Sequence, residues 1–241
     1  ARKGSKGIPE KNLKKISGYT LVERALFTAI NTSSIDDVIV STDSKRIQAL
    51  VNKQGKYSPF IRPKKLATDR ATSLVVIQHG LDWAEKNYKK KYDYIVLLEP
   101  PSPFRLPKHL DQAINLAIDK NATSVVSLIL VGDYHPIRMK KMNNDGKIEG
   151  LMGVEPDGVR RQDQEAVYIR NCAVYVFQVK TIKNNQLWGH RPYGFEMDKS
   201  LYGINIDEPL DYVLAKAFYD KMKIENKLNL IESFKINKER I

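Results

Sequence analysis

The chain has 241 residues, 42% of them hydrophobic, with 40 Lys and Arg against 28 Asp and Glu and a formal charge of +12. Its one cysteine excludes an internal disulfide and a cysteine-built zinc or iron–sulfur centre. No run of about 18 apolar residues is present to cross a membrane, and the apolar content, with prolines spread along the sequence, excludes a disordered chain.

Leu21, Val22, Ala25, Leu26, Ala29 and Ile30 recur at helical spacing and predict a helix over about 20–31. Val38, Ile39 and Val40 read as a short buried strand ending at Ser41-Thr42-Asp43, and Ile47, Leu50 and Val51 line the next helix. Ile61-Arg62-Pro63 reads as loop, because proline pushes its predecessor out of helix. Leu74, Ile77, Leu81 and Ala84 mark a helix over about 73–87.

The apolar run 94–98 stops at Pro100-Pro101 and has the unbroken apolarity of a parallel strand covered on both faces. A helix follows from Pro107, with Leu110, Ile114, Ala117 and Ile118 inward, then an apolar strand over 124–131. This alternation predicts a doubly wound α/β unit. Asn143-Asn144-Asp145-Gly146 is a hairpin signal inside 132–169, which reads as an inserted lobe. Strands over 173–177 and 202–206 and a closing helix over 209–223 complete the pattern. The expected organisation is one α/β core of residues 1–132 and 171–241, interrupted by a lobe at 133–170.

The charge points to an anionic partner: nucleic acid, a membrane surface or an anionic small substrate. Its distribution is uneven. The first fifteen residues hold Arg2, Lys3, Lys6, Lys11, Lys14 and Lys15 against Glu10 alone. Other basic runs, such as Lys89-Lys90-Lys91, read as solvated surface. No aromatic residues interleave the N-terminal bases, and no helix-turn-helix, zinc or RNA-recognition pattern occurs, so the expected partners include neither nucleic acid nor membrane.

Residues 1–12 also carry Gly4, Ser5 and Gly7 among the bases Arg2, Lys6 and Lys11. Glycines let backbone amides approach phosphate oxygens, lysines add point charges, and arginine binds bidentately. One charge pair at 4 Å is worth only ~1 kcal/mol in water and ~4 kcal/mol at an effective dielectric of about 20, so a triphosphate needs the whole cluster, amides included. The spacing is neither a Walker A loop nor G-x-G-x-x-G. The residues alone leave two readings, an anion loop or a basic, poorly ordered terminus. A phosphate loop in an α/β protein normally follows the first strand, so the loop reading predicts an apolar strand ahead of Ala1.

Several blocks add up to a resemblance. They are A-R-x-G-S-K-G-x-x-x-K-N over 1–12, V-I-V-S-T-D over 38–43, R-P-x-x-L-A-T-D-x-A-T-S over 62–73 and L-E-P-P-S-P-F-R over 98–105. R-R-Q-D over 160–163, N-C-A-V-Y over 171–175 and I-N-I-D over 204–207, with Asp211 beyond, follow. In this order, over essentially the whole chain, they resemble the acylneuraminate cytidylyltransferases, also called CMP-sialic acid synthetases.

The resemblance implies a mostly parallel central sheet flanked by helices, of the Rossmann-like nucleotide-diphospho-sugar transferase type, with an inserted dimerisation lobe and hence a homodimer. It implies a cytoplasmic enzyme in which a nonulosonic sugar acid attacks the α-phosphate of CTP through its anomeric hydroxyl, releasing pyrophosphate. Carried over by motif, Arg2, Gly4, Ser5, Lys6, Lys11 and Asn12 would hold the triphosphate, and Arg62, Ala71 and Ser73 would frame the cytosine. Glu99, Ser102, Arg161, Gln162 and Tyr175 would face the sugar acid. Asp207, with Asn205, would bind Mg²⁺ or Mn²⁺, and Arg2, Lys6, Lys11 and Asp207 would be the catalytic set. An eight-carbon ulosonate is the alternative substrate.

The residues by themselves keep structural alternatives open. Asp207 precedes a helix that it could cap, Arg161 could pair with Asp163 or Glu165, Arg62 could be a surface arginine, and Asp43 and Asp69 read as turn or cap residues. The chain also departs from the family pattern. Lys3 and Cys172 stand where the family has glycine, Asn205 replaces an aspartate, and Glu99 replaces a glutamine. The last change suggests a diamino sugar such as legionaminate or pseudaminate.

Overall fold

A computed structural model describes residues 1–4, 7–155, 160 and 163–232. A short hairpin comes first, β1 (Lys15–Ile16) with β2 (Tyr19–Thr20), turned by Ser17 and Gly18, both at positive φ. It feeds α1 (Leu21–Ile30), whose N-terminus is closed by a capping box: Glu23 N–H donates to Thr20 Oγ1, and the Thr20 N–H donates to the Glu23 carboxylate. α2 (Lys45–Asn52) packs on α1 through Val22, Leu26, Ile47 and Val51.

α3 (Ser73–Tyr88) leads into β3 (Tyr94–Leu97), and α4 (Pro107–Asp119) into β4 (Ser124–Leu130). Next come a lobe hairpin of β5 (Lys140–Met142) and β6 (Ile148–Gly150), then the long β7 (Tyr168–Gln178) and α5 (Val179–Lys183). β8 (Pro192–Glu196), α6 (Lys199–Tyr202) and α7 (Pro209–Ile224) complete the core.

The central sheet has the order β3-β7-β4-β8. β7 runs antiparallel to both β3 and β4, and β8 is parallel to β4, so three strands share one direction and β7 opposes them. Side chains alternate across β7. Val174 and Val176 enter the main core with Leu110, Val125 and Tyr219, while Tyr175 and Phe177 enter a second core with Ile77, Leu81 and Ile182. α4 and α7 therefore cover one face and α3 and α5 the other, the expected layered α/β arrangement.

Three expectations need correction. Val38, Ile39 and Val40 form no sheet strand; they are half-buried, tied only by the Val40 N–H to Tyr57 carbonyl bond, with a parallel bridge at Thr42 and Ile61 just beyond. The 202–206 stretch is not a strand either. Asp198 caps a helical turn through its bond from Ser200 N–H, and the chain then runs on irregularly to Ile206, whose N–H donates to Pro101 O. The strand that joins the sheet is β8. Its signal was the alternation of Tyr193 and Phe195, both packed on the main core, around Gly194, where a Cβ would meet Leu128.

Candidate active site

The N-terminal segment is stitched to three distant parts of the chain. Arg2 pairs with Asp69. Lys3 N–H donates to Asp43 Oδ1 at 2.7 Å, and Lys11 Nζ donates to Asp207 Oδ1 at 2.7 Å. Asn12, buried, donates from Nδ2 to Arg2 O at 3.0 Å and so closes the loop on itself. Gly7 is seated where any Cβ would fall on the Asp207 carbonyl oxygen. The loop is thus built against the sheet's carboxyl ends, the usual ligand side of open α/β sheets. Asp43 and Asp69, read from sequence as turn or cap residues, are its anchors.

Gly4 is exposed on this loop. Ser5, Lys6, Arg161 and Gln162, all assigned from sequence, lie outside the described residues.

Arg62 is a buried residue and not a surface one: its Nε donates to Ser41 Oγ at 3.0 Å and its Nη2 to Ser41 O at 2.6 Å. Burial pulls its guanidinium below the usual arginine value; Asp43 opposes this and Arg2 adds to it. Ala71 and Ser73 flank the start of α3, with Thr72 between them as its N-cap residue. Arg62, Ala71 and Ser73 therefore share one stretch, which Asp69 ties to Arg2.

Glu99 follows β3 at its carboxyl end. Its backbone carbonyl accepts from Arg105 Nη1 at 2.8 Å, while no described side chain donates to its carboxylate. Burial raises its pKa above the ordinary glutamate value; Arg105 opposes this and Asp207 reinforces it. Arg105 is fully buried and also donates to Ala173 O at 2.9 Å, strapping the end of β3 to β7. Burial lowers its pKa to about 10, with Glu99 opposing. Arg105 had a place in the sequence motif but was given no role; only its burial identifies it as a brace.

β7 is irregular at the site. Its register on β4 shifts between Val126 and Leu128, and Cys172 stands there at φ 58°, a left-handed backbone that explains why the pattern normally has glycine. Asn171 holds this bulge: Oδ1 accepts from Ser127 Oγ at 2.6 Å, and Nδ2 donates to Tyr202 O at 3.2 Å. Ser102 is buried, its Oγ 3.0 Å from Asn171 O and 3.1 Å from Asn205 Oδ1. Tyr175 is buried one turn of the pleat further on, and burial raises its hydroxyl above the ordinary tyrosine value, with Cys172 and Glu99 adding to this.

Asn205 bridges Ser102 to Asp207, accepting from the one on Oδ1 and donating Nδ2 to the other's Oδ2. No group of three or more His, Cys, Asp or Glu side chains suited to a metal occurs among the described residues. A set of one carboxylate, Asp207, open to solvent and facing an anion loop, still fits Mg²⁺, which takes one or two carboxylates and completes its shell with phosphate oxygens and water. Asn205 turns its amide N–H₂ toward Asp207, so in this arrangement it orients the carboxylate and offers no ligand oxygen.

Comparison with known proteins agrees with this geometry. A family model described as cytidylyltransferase matches residues 1–235. An N-acylneuraminate cytidylyltransferase of Streptococcus agalactiae serotype V is 29% identical over 225 residues, covering 91% of this chain and 52% of its own length. The chain thus spans about half of that relative. A CMP-N,N'-diacetyllegionaminic acid synthase of Legionella pneumophila is 28% identical, covering 91% of this chain and 94% of its own. Among solved structures, a CMP:2-keto-3-deoxy-manno-octonic acid synthetase complexed with CTP superposes with a TM-score of 0.66 over 92% of this chain and 96% of that one, at 15% identity, which supports the fold. With the matched family model spanning nearly all of its length and the loop, sheet ends and bulge in place, the chain belongs to the cytidylyltransferase family.

Proposed function

We propose that the protein transfers CMP from CTP to a nonulosonic, sialic-type sugar acid. The observation that carries this reading is the meeting of Arg2, Lys11, Arg62 and Asp207, from four separate parts of the sequence, at one end of the sheet. Arg2, Lys11 and the loop amides, with Ser5 and Lys6 of the same loop, hold the triphosphate. Arg62, through Ser41, and the 71–73 segment position the cytosine. The anomeric oxygen of the sugar forms a bond to the α-phosphorus, the bridge bond to the β-phosphate breaks, pyrophosphate leaves, and the hydroxyl proton passes to solvent. Such a reaction is served mostly by positioning and by charge that offsets the phosphates. Mg²⁺ or Mn²⁺ held by Asp207 would supply further positive charge on the phosphate oxygens. CTP and sugar acids are metabolites of the cytoplasm, which is where we place the reaction.

For the sugar, Glu99 favours a donor-rich partner. A half-buried carboxylate with no donor of its own accepts hydrogen bonds and gives none, so an amide N–H or an ammonium suits it and a second carboxylate does not. This supports a diamino nonulosonate such as legionaminate or pseudaminate, in line with the name of the Legionella relative. Arg161 and Gln162 would face the sugar carboxylate. We further propose a homodimer built on the lobe. Met142, Ile148, Met152 and Val154 are 59–91% exposed there, and none enters a buried core.

The test is pyrophosphate release from CTP, against ATP, GTP and UTP, across a panel of nonulosonic and eight-carbon acids with and without Mg²⁺. CTP-specific turnover of a diamino nonulosonate above N-acetylneuraminate supports the reading. Preference for N-acetylneuraminate removes the Glu99 argument, and turnover of the eight-carbon acid alone replaces the substrate.

A further inference from the structure

A cavity of about 450 Å³ opens between β3 and the half-buried run of Val38, Ile39 and Val40. Its two side walls are backbone: residues 94–98 on one side and 38–41 on the other. β3 is an edge strand, paired only with β7, and the 38–40 run is joined to no sheet. Its two faces are helices that turn small residues inward, Ala25 and Ala29 of α1 on one, Gly80 and Ala84 of α3 on the other. A Cβ built on Gly80 meets nothing within 4 Å. Charged side chains line only the ends: Asp36, Asp37 and Asp93 at one, Arg62 at the other.

This is the shape of a strand site. Two extended backbones face each other, small side chains on both covering layers leave room for large ones between them, and the middle is apolar throughout. An apolar run left half-exposed on each wall, seven residues in all, is what sheet residues look like beside an unfilled strand position. The nitrogen of Ala1 lies at the cavity's end, donating to Ser41 O at 3.0 Å. As an ammonium it is poorly placed there, since burial, with Arg62 adding, lowers its pKa to about 5. An amide N–H would make the same hydrogen bond without a charge to bury.

We propose that the cavity is the seat of an extended apolar segment of about five residues, joined by a peptide bond to Ala1 and lying as a strand between β3 and the 38–41 run. Traced back from Ala1, beside Ser41 and near Glu99, it runs past Val40 and Val38 on one side and Leu97 and Ile95 on the other, parallel to both. The sheet then reads 38–41, the new strand, β3, β7, β4, β8. The strand would deliver the anion loop at the sheet's carboxyl end, so it fixes where Arg2 stands.

The experiment compares the chain as it stands with two versions extended ahead of Ala1 by about six residues, one of Ile, Val and Leu, one of Ser, Asp and Lys. Readouts are amide hydrogen exchange at 94–97 and 38–40 and the melting temperature, neither of which requires substrate or activity. The apolar extension is expected to slow exchange there by about ten-fold or more and to raise the melting temperature, with the polar one matching the unextended chain. Gly80→Leu supplies a second reading: it should stabilise the unextended chain by filling space and destabilise the apolar-extended one by clashing. Unchanged exchange with the apolar extension, Gly80→Leu acting alike in both chains, or protection in the unextended chain that rises with protein concentration (a second copy as occupant) would each overturn the proposal.

Discussion

Lys11 Nζ and Asp207 Oδ1 stand 2.7 Å apart across 196 positions of sequence, one on the anion loop and the other at the entrance to the closing helix α7. The capping of α7 falls to others: Asp211 accepts from the N–H groups of both Asp207 and Glu208. Asp207's carboxylate is therefore committed to the site, held between Lys11 and Asn205.

Removing it separates function from stability. The Asp207 side chain is 64% exposed, and an exposed ion pair contributes about 0–1 kcal/mol, so Asp207→Ala and Lys11→Ala should melt close to the parent. Their turnover should fall by about 10²–10³, the usual cost of removing one preorganised charge from a phosphoryl-transfer site. Steady-state pyrophosphate release beside a thermal melt reads both; full turnover in Asp207→Ala would sink the assignment.

Gly7→Ala should act on binding. The added methyl has backbone, the Asp207 carbonyl, in its way, so the loop and not a flexible side chain must move. A shift of about 1 Å in a positioning element costs on the order of 10² in rate. KM for CTP should rise and kcat/KM fall, while Gly4→Ala, with open space around it, should be much milder. Equal effects of the two would contradict the close approach.

Much of this was legible beforehand, and the losses have physical causes. The helices 21–30, 73–88 and 107–119 follow from apolar spacing and caps, which are local. Arg2 with Asp69 and Lys3 with Asp43 were invisible, because which carboxylate meets which base depends on how the chain folds back. Motif resemblance located Asp207 and Arg62, but not that Arg62 is buried against Ser41. Val38 to Val40 failed as a strand for want of a neighbour, since apolarity predicts burial only where another strand is present to pair.

Cys172 offers a test of backbone strain. A non-glycine residue at φ 58° costs about 1–2 kcal/mol. Cys172→Gly removes that cost and loses a small half-buried side chain, so its stability should be unchanged or higher by about 1 kcal/mol. Cys172→Val, β-branched and ill-suited to the left-handed region, should lose about 2 kcal/mol or more. Chemical denaturation of the three forms decides, and a valine form as stable as the glycine form would refute the strain.

The lobe predicts assembly. Met152 is 68% exposed and Val154 91%, so Met152→Asp with Val154→Asp should leave the core's melting temperature alone. In sedimentation at micromolar concentration the parent should run as a dimer and the double variant as a monomer. A monomeric parent removes the proposed interface.

Glu99 makes the pH dependence specific. Burial raises its folded pKa above the unfolded value, so the folded chain keeps a proton that the unfolded chain has already released. The stability contributed by that proton is complete below the ordinary glutamate range and is lost as pH rises through the raised value. Glu99→Gln, neutral at every pH, should therefore melt higher than the parent at pH 7, and the gap should close as the pH falls below about 4. The same substitution should weaken discrimination between amine-bearing and hydroxyl-bearing sugar acids, because the amide can donate where the carboxylate only accepts. A parent and variant whose melting curves stay parallel from acid to neutral pH would show that Glu99 is solvated like any surface carboxylate, and the sugar argument built on it would fall with that result.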